Sequence, residues 1–175
     1  MSKTIILLIA IVFTNQAFSQ VNQYKKLTDE ALELLKQRDL DAAIVKYQQA
    51  LRLKANGVEA HYGLAVSYSA TCIQNGNYCK EAINHFLTVE KIAKGYRNTF
   101  RNLSSCFLKI HEYDKAILYS TKAIAQDNKD GESFFYRGFA KFELKKPKKE
   151  ACADLQQALK LGFSEASTLL ERYCN

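Results

Sequence analysis

Five cysteines are the residues of this 175-residue chain best suited to chemistry. Thiols pair into disulfides in oxidising compartments, whereas in reducing compartments they more often bind metal or react. No two of the five have the short CxxC separation that redox centres and structural zinc sites use. Cys72 and Cys79 are 7 positions apart, and Cys152 and Cys174 are 22 apart. Disulfides are therefore the first chemistry to consider, and they require export.

Other catalytic and metal-binding patterns are missing from the sequence. The three histidines, His61, His85 and His111, lie in different helical segments or at helix boundaries, and no HExxH occurs. GxSxG, Walker and GxGxxG loops do not occur either. Asp29 and Asp39 stand near predicted helix starts or turns, where negative charge favours the helix dipole. We therefore expect no enzymatic activity, no metal and no cofactor.

The first 20 residues, MSKTIILLIAIVFTNQAFSQ, have the features of a secretory signal. A lysine precedes an apolar run from Ile5 to Phe13, and the small residues Ala17 and Ser19 stand two apart. This run is too short to span a bilayer core, which needs about 20 residues. The sequence predicts a signal peptide over 1–19, cleavage after Ser19 and an exported protein, periplasmic or secreted. The mature chain should have no transmembrane segment.

The composition predicts a single domain with one core, because 47% of residues are hydrophobic and 25% are charged. Loss of the signal would leave 24 basic and 18 acidic residues, a net charge of +6. The lysine-rich run at 145–149 lies between two predicted helices, where solvated lysines are expected. No basic stripe continues along the helices, so we expect no nucleic-acid partner.

The periodicity of apolar residues predicts helices throughout. They recur every three or four positions after Val21, and no segment alternates with period two. The segments RDLDAAIVKYQQALRL, GNYCKEAINHFLTVEKI, HEYDKAILYSTKAIAQ and KKPKKEACADLQQALKL follow one pattern at spacings of 39, 34 and 35 residues. Small side chains align in three columns: Ala43, Ala82, Ala116 and Ala151; Ala50, Val89, Ala123 and Ala158; and Ala31, Ala65, Ser104 and Gly138. Small residues suit the crossing points of closely packed helices, but Gly63, inside another helical pattern, has no such explanation.

These copies resemble the tetratricopeptide repeat family, whose unit is a helix pair of about 34 residues. The resemblance covers residues 24 to about 162, although the family's tryptophan and terminal proline are absent from every copy. It implies an all-α fold, a right-handed α-solenoid of four helix pairs plus a C-terminal capping helix, in a single domain over 20–175. The expected repeats are about 24–57, 58–95, 97–130 and 131–162. Their helix pairs are about 23–36 with 40–53, 57–72 with 79–92, 96–109 with 113–126, and 131–144 with 148–161, and the cap is 164–174, started by Ser164.

This helix map brings one pair of cysteines together at the carboxyl end. Cys152 and Cys174 are equidistant from the turn at Gly162 and Phe163. In an antiparallel hairpin they face each other, with Cα atoms about 4 to 6 Å apart, which suits a disulfide. The alternative is a pair of buried thiols.

The second pair brackets an insertion. Ala65 to Ala82 spans 17 residues where Ala31 to Ala43 spans 12, and the five extra residues fall in CIQNGNYC. Cys72 and Cys79 are therefore expected to pin this widened turn closed as a disulfide. Cys106 has no evident partner and is expected to be a small buried core residue.

The resemblance also implies where a partner binds, because the first helix of each repeat lines the concave face in this family. The corresponding residues include Tyr62 and Val66, then Asn98, Arg101, Ser105 and Leu108, then Phe135, Phe139 and Phe142. Arg101, among apolar neighbours, is suited to an acidic side chain or terminal carboxylate. The three phenylalanines are equally consistent with packing under the last helix pair and cap.

We therefore expect a non-enzymatic scaffold of the cell envelope that holds a peptide segment or an amphipathic helix of another protein on its concave face. An alternative is a structural subunit of an envelope assembly held through its convex face or the inserted loop 72–79. A weaker alternative is an enzyme with its site in the groove.

Overall fold

The computed structural model describes residues 3–174, with side chains from Phe18 onward. Over this range the chain forms nine α-helices and no strand. The helices are α1 (Lys3–Lys36), α2 (Leu40–Leu53), α3 (Val58–Asn75), α4 (Cys79–Ile92), α5 (Thr99–Lys109), α6 (Tyr113–Gln126), α7 (Gly131–Glu143), α8 (Lys148–Lys160) and α9 (Ala166–Tyr173). The predicted all-α arrangement of four helix pairs and a final helix is confirmed. The signal peptide predicted over 1–19 lies mostly outside the described side chains and stays a prediction.

The chain divides into two compact units between Ser67 and Tyr68. In the first unit, α1 and α2 pack against each other through the predicted small residues Ala31 and Ala43, which are fully buried. Helix α2 begins after Asp39, whose carboxylate accepts a hydrogen bond from the Ala42 backbone N–H at 3.2 Å. This cap satisfies one of the free N–H groups at the start of α2.

Gly63 has a packing role that the repeat pattern did not explain. A Cβ atom at this position would lie 2.1 Å from Cζ of Tyr47. The Tyr47 side chain is buried, with only 3% of its surface exposed. The tyrosine ring therefore occupies the space that any larger side chain at Gly63 would need.

In the second unit, α5 and α6 form one helix pair and α7 and α8 form the next. The Ser104 hydroxyl of α5 donates a 3.0 Å hydrogen bond to the Ala116 carbonyl of α6. At the equivalent place in the next pair, a Cβ on Gly138 would lie 3.0 Å from the Ala151 carbonyl oxygen. In these two helix pairs, the aligned small residues thus occupy equivalent crossing points, as predicted.

Helix α9 covers the last pair, and the disulfide between Cys152 and Cys174 joins it to α8 with Cα atoms 5.8 Å apart. It begins at Ala166, two residues later than predicted. The Ser164 hydroxyl donates to the Glu165 carboxylate at 3.3 Å and therefore does not cap the helix. The apolar cluster under α9 contains Leu155, Ala158 and Ala166, with Phe134, Phe135, Phe142, Phe163, Leu169 and Leu170 against it.

The predicted disulfide between Cys72 and Cys79 also forms and closes the inserted turn, with Cα atoms 4.7 Å apart. Cys106 is a buried free thiol, as expected. Burial raises the pKa of this thiol to about 11, although a hydrogen bond from the Ser69 hydroxyl offsets part of the rise. Across the described residues, every buried side-chain nitrogen and oxygen atom has a hydrogen-bond partner.

Candidate functional site

Helices α5 and α7 lie side by side in the second unit and carry most of the predicted partner-binding residues. Residues three or four positions apart share one face of a helix. Arg101, Ser105 and Leu108 follow this spacing along α5, with Asn98 at its N-cap. Phe135, Phe139 and Phe142 follow it along α7. We call this surface the α5–α7 face.

Arg101 joins the two helices of the α5–α7 face. Its Nε atom lies 3.2 Å from a Glu132 carboxylate oxygen, and its Nη1 atom lies 3.5 Å from an Asp130 carboxylate oxygen. Asp130 is also the N-cap of α7, where it accepts hydrogen bonds from the Ser133 backbone N–H and hydroxyl. The positive charge of Arg101 is therefore compensated inside the chain. An acidic group of a partner, which the sequence suggested for this arginine, would have to compete with two carboxylates.

Tyr136 extends this network and was missed by the sequence analysis. Its hydroxyl donates to the Glu132 carboxylate and accepts from the Ser105 hydroxyl. Burial, followed by the hydrogen bond to the negative Glu132, raises the pKa of the Tyr136 hydroxyl. The hydroxyl therefore stays protonated at neutral pH. No local pattern marks Tyr136, because its role depends on the neighbouring helix.

The three phenylalanines of the face differ in how far they are packed against the rest of the chain. Phe135 packs on Phe163, with ring centroids 4.9 Å apart, and Phe142 packs on Tyr173 of α9 at 5.2 Å. These two rings therefore pack largely under the last helix pair and α9, which was the alternative to exposure on the concave face. Phe139 stacks on Phe135 at 6.4 Å and is half-buried, but it is not part of the cluster under α9.

A polar cleft of about 500 Å³ adjoins the polar end of this face. It lies within the size range of small-ligand pockets, about 300 to 1,000 Å³. Three basic side chains, Arg97, Arg101 and Lys129, line it together with three acidic ones, Asp127, Asp130 and Glu132. This balance of charge suits polar, uncharged groups such as a peptide backbone better than a strongly charged ligand.

On α7 and α8, a second ionic cluster has a structural role. Asp154 is nearly buried and accepts two hydrogen bonds from the Arg137 guanidinium, at 2.9 and 2.6 Å. The Lys141 ammonium lies 2.9 Å from the same carboxylate. Two cations therefore hold the buried charge of Asp154 between the paired helices.

The remaining predicted face residues, Tyr62 and Val66, are half-buried on α3 in the first unit. Among the side chains that the structure describes, no three His, Cys, Asp or Glu residues gather as metal ligands. In the described part of the chain, no helix is both long and apolar enough to cross a membrane.

Comparison with known proteins agrees with this architecture. Residues 29–71 match the sequence model of the TPR repeat family. Among solved structures, the chain is similar to YrrB, described as a TPR protein with an unusual peptide-binding site, at 20% identity and a TM-score of 0.68, over 78% of this chain and 67% of YrrB. It is similar to MamA at 19% identity and a TM-score of 0.73, over 82% of this chain and 76% of MamA.

A third similar structure is pilF of Pseudomonas aeruginosa, at 18% identity and a TM-score of 0.70, over 88% of this chain and 70% of pilF. No curated protein sequence matches the chain. At these identities the structural matches show the fold alone. The family model covers residues 29–71, and together with these structures it confirms the predicted TPR-like α-solenoid fold.

Proposed function

We propose that this protein is a non-enzymatic binding scaffold of the cell envelope, and that the α5–α7 face holds a peptide segment or an amphipathic helix of a partner protein. The observation that carries the proposal is the pairing of two surfaces on this face. Half-buried Phe139 and Leu108 provide apolar area, and the network of Arg101, Glu132 and Tyr136 provides a polar surface beside it. An amphipathic segment has the same two kinds of surface.

The shared fold supports this proposal, because YrrB is described as having a peptide-binding site. The polar cleft supports it as well, since it extends the face toward groups that would bind the backbone or the end of a peptide. The polar side chains of the face are already held by one another. Binding would therefore cost little additional side-chain ordering.

A photo-crosslinking residue placed at Ser105, in the protein's own cells, tests the proposal. The matched control is the same residue at Leu118, which is 51% exposed on α6. We expect one protein to be crosslinked from Ser105 and not from Leu118. Crosslinking from Leu118 or from the inserted turn alone would instead favour the alternative, a subunit held by its convex face or loop 72–79.

Phe139→Ala is the variant that tests binding energy. Truncation of a central interface aromatic commonly costs more than about 2 kcal/mol, or about thirtyfold in affinity. Leu118→Ala is the control and should leave affinity unchanged. Arg101→Glu is a poorer probe, because it would place a third carboxylate beside Asp130 and Glu132 and disturb the face itself.

The envelope location has its own test. Fractionation of the cells, followed by sequencing of the amino terminus, should find an exported chain that begins at Gln20. A chain recovered from the cytosol with residues 1–19 intact would refute the location and leave the binding proposal standing.

A further inference from the structure

A second surface, separate from the α5–α7 face, lies along one edge of the second unit. It consists of the inserted segment 72–79, which runs from the last turn of α3 to the start of α4, together with the α5–α6 turn 110–112 and the α7–α8 turn 144–147. Ser69 of α3 hydrogen-bonds to Cys106 of α5, and the Tyr113 hydroxyl at the start of α6 hydrogen-bonds to Glu143 at the end of α7. These contacts bring the ends of α3, α5 and α7 together. We call this surface the turn edge.

The turn edge carries more unpaired positive charge than negative charge. Lys145, Lys146, Lys148 and Lys149 are all exposed around the α7–α8 turn, and Lys109 is exposed at the end of α5. Within the described residues, Lys109, Lys145, Lys146 and Lys149 have no ion-pair partner.

Most carboxylates at the same edge are engaged by neighbours. Glu112 pairs with Lys115 at 2.5 Å, and Glu150 lies 3.7 Å from Lys141. Glu143 accepts from Tyr113. Asp114 and Glu81 are exposed, so the positive charge of the lysines is only partly offset.

The inserted turn adds an apolar tip to this edge. Ile73 and Tyr78 are 52% and 53% exposed, and they adjoin the two linked cysteines, whose Cα atoms are 4.7 Å apart. The Tyr78 ring lies 5.5 Å from the Tyr68 ring, and its backbone is left-handed at φ 62°. Such a conformation is uncommon for a bulky residue. The disulfide therefore presents two large apolar side chains to solvent on a constrained turn.

We propose that the turn edge binds the surface of an anionic lipid bilayer. The lysines would contact headgroup phosphates, and Tyr78 and Ile73 would enter the interfacial layer. Tyrosine is enriched at membrane interfaces, and clusters of four to eight basic residues are typical of anionic-lipid surfaces. A basic patch combined with an apolar anchor gives the two signals that stable, reversible membrane attachment needs.

Two other occupants are distinguishable by chemistry. A nucleic acid would use the lysines but would not take up Ile73 and Tyr78 in an apolar layer. A partner protein would use the tip but would show no preference for anionic over neutral lipid. A bilayer surface uses both features together and is distinguished by a preference for anionic over neutral lipid.

Sedimentation with vesicles of equal parts phosphatidylglycerol and phosphatidylcholine tests the proposal. The protein is purified in the form that the producing cell makes, with any processing of its amino terminus complete. The test variant replaces Lys145, Lys146, Lys148 and Lys149 with Gln. The matched control replaces four exposed lysines elsewhere, Lys54, Lys91, Lys94 and Lys160, with Gln. Both variants lose four positive charges and share the same amino terminus.

Each lysine near an anionic surface contributes about fivefold in affinity, so the test variant should lose on the order of several hundredfold. The control should lose less than about tenfold, because charges farther from the surface than about 8 Å are largely screened. Pure phosphatidylcholine vesicles should bind every variant equally weakly. Equal losses in the two variants, or no preference of the unaltered protein for anionic vesicles, would overturn the proposal.

A fluorescent probe tests the apolar tip, because the chain contains no tryptophan. Tyr78→Trp should emit at shorter wavelength when anionic vesicles are added, whereas Leu118→Trp, also at a half-exposed site, should not change. No shift at either site, together with lysine-dependent binding to duplex DNA, would overturn the proposal and show that the turn edge binds nucleic acid. No shift, together with capture of a protein through Tyr78, would overturn the proposal and show that the turn edge binds a protein partner.

Discussion

Replacement of Gly63 with alanine should destabilise the first unit, although alanine is the better helix former. The new Cβ atom would lie 2.1 Å from Cζ and 2.4 Å from Cε1 and Cε2 of Tyr47. Carbon atoms in contact prefer about 3.5 to 4.0 Å, so the ring must move by about 1.5 Å. Only 3% of Tyr47 is exposed, and the ring therefore has little room to move.

The two opposing effects have different sizes. Alanine gains about 1 kcal/mol over glycine in a helix interior. Overpacking of a filled core costs about 1 to 3 kcal/mol, and this overlap is severe enough for the upper end of that range. We expect a net loss of about 1 to 2 kcal/mol and a melting temperature about 3 to 6 °C lower.

Urea unfolding followed by circular dichroism measures this change. Gly138→Ala is a graded comparison, because its Cβ would lie 3.0 Å from the nearest atom, and it should cost less. Tyr47→Leu in the Gly63→Ala background should recover part of the loss, so that the double variant is more stable than the sum of the singles predicts. A Gly63→Ala protein as stable as the parent would refute the packing argument.

Three further predictions concern the second unit. Loss of the terminal disulfide in a variant with Cys152→Ser and Cys174→Ser should lower the free energy of unfolding by about 3 kcal/mol relative to the oxidised parent. Under reducing conditions, which also open the Cys72–Cys79 disulfide in both proteins, the variant and the parent should be equally stable. Native Cys106 should resist thiol reagents at pH 8 and react only after denaturant is added; rapid labelling of the folded protein would contradict its burial. Burial raises the pKa of the Cys106 thiol from 9.0 to about 11, so the unfolded chain loses the thiol proton at a lower pH than the folded protein does. The contribution of this thiol to stability should therefore fall as pH rises between these two values. Asp154→Asn should cost about 3 kcal/mol, because it removes the counter-charge of the Arg137 guanidinium, and an unchanged urea midpoint would show that this ion pair contributes nothing.

The helices and disulfides were accessible from the sequence because they depend on local patterns. The spacing of Ala116 and Ala151 within their repeats placed both at helix crossings, since the volume available at a crossing is small wherever two helices approach. Cys152 and Cys174 were predicted to pair because they are equidistant from one turn. The start of α9 was predicted two residues early, because Ser164 has the residue type of a cap but not its geometry.

The arrangement of the candidate site was harder to predict from the sequence. Arg101 was predicted to line the concave face, whereas its ion-pair partners Glu132 and Asp130 lie about 30 positions away and belong to the next repeat. Tyr136 was missed for the same reason. Phe135 and Phe142 fit both the face and the core by spacing, and only the position of α9 showed how far they are packed.

The sequence by itself determined the helices, their pairing into repeats and the residues small enough to stand where helices cross. These features follow from the period of the helix and from side-chain volume, which are local properties. The tertiary structure decided which charges are compensated, which rings are covered and why Gly63 must be glycine. Those outcomes depend on the rotation and offset of one helix against its neighbour, which the sequence pattern of either helix leaves open.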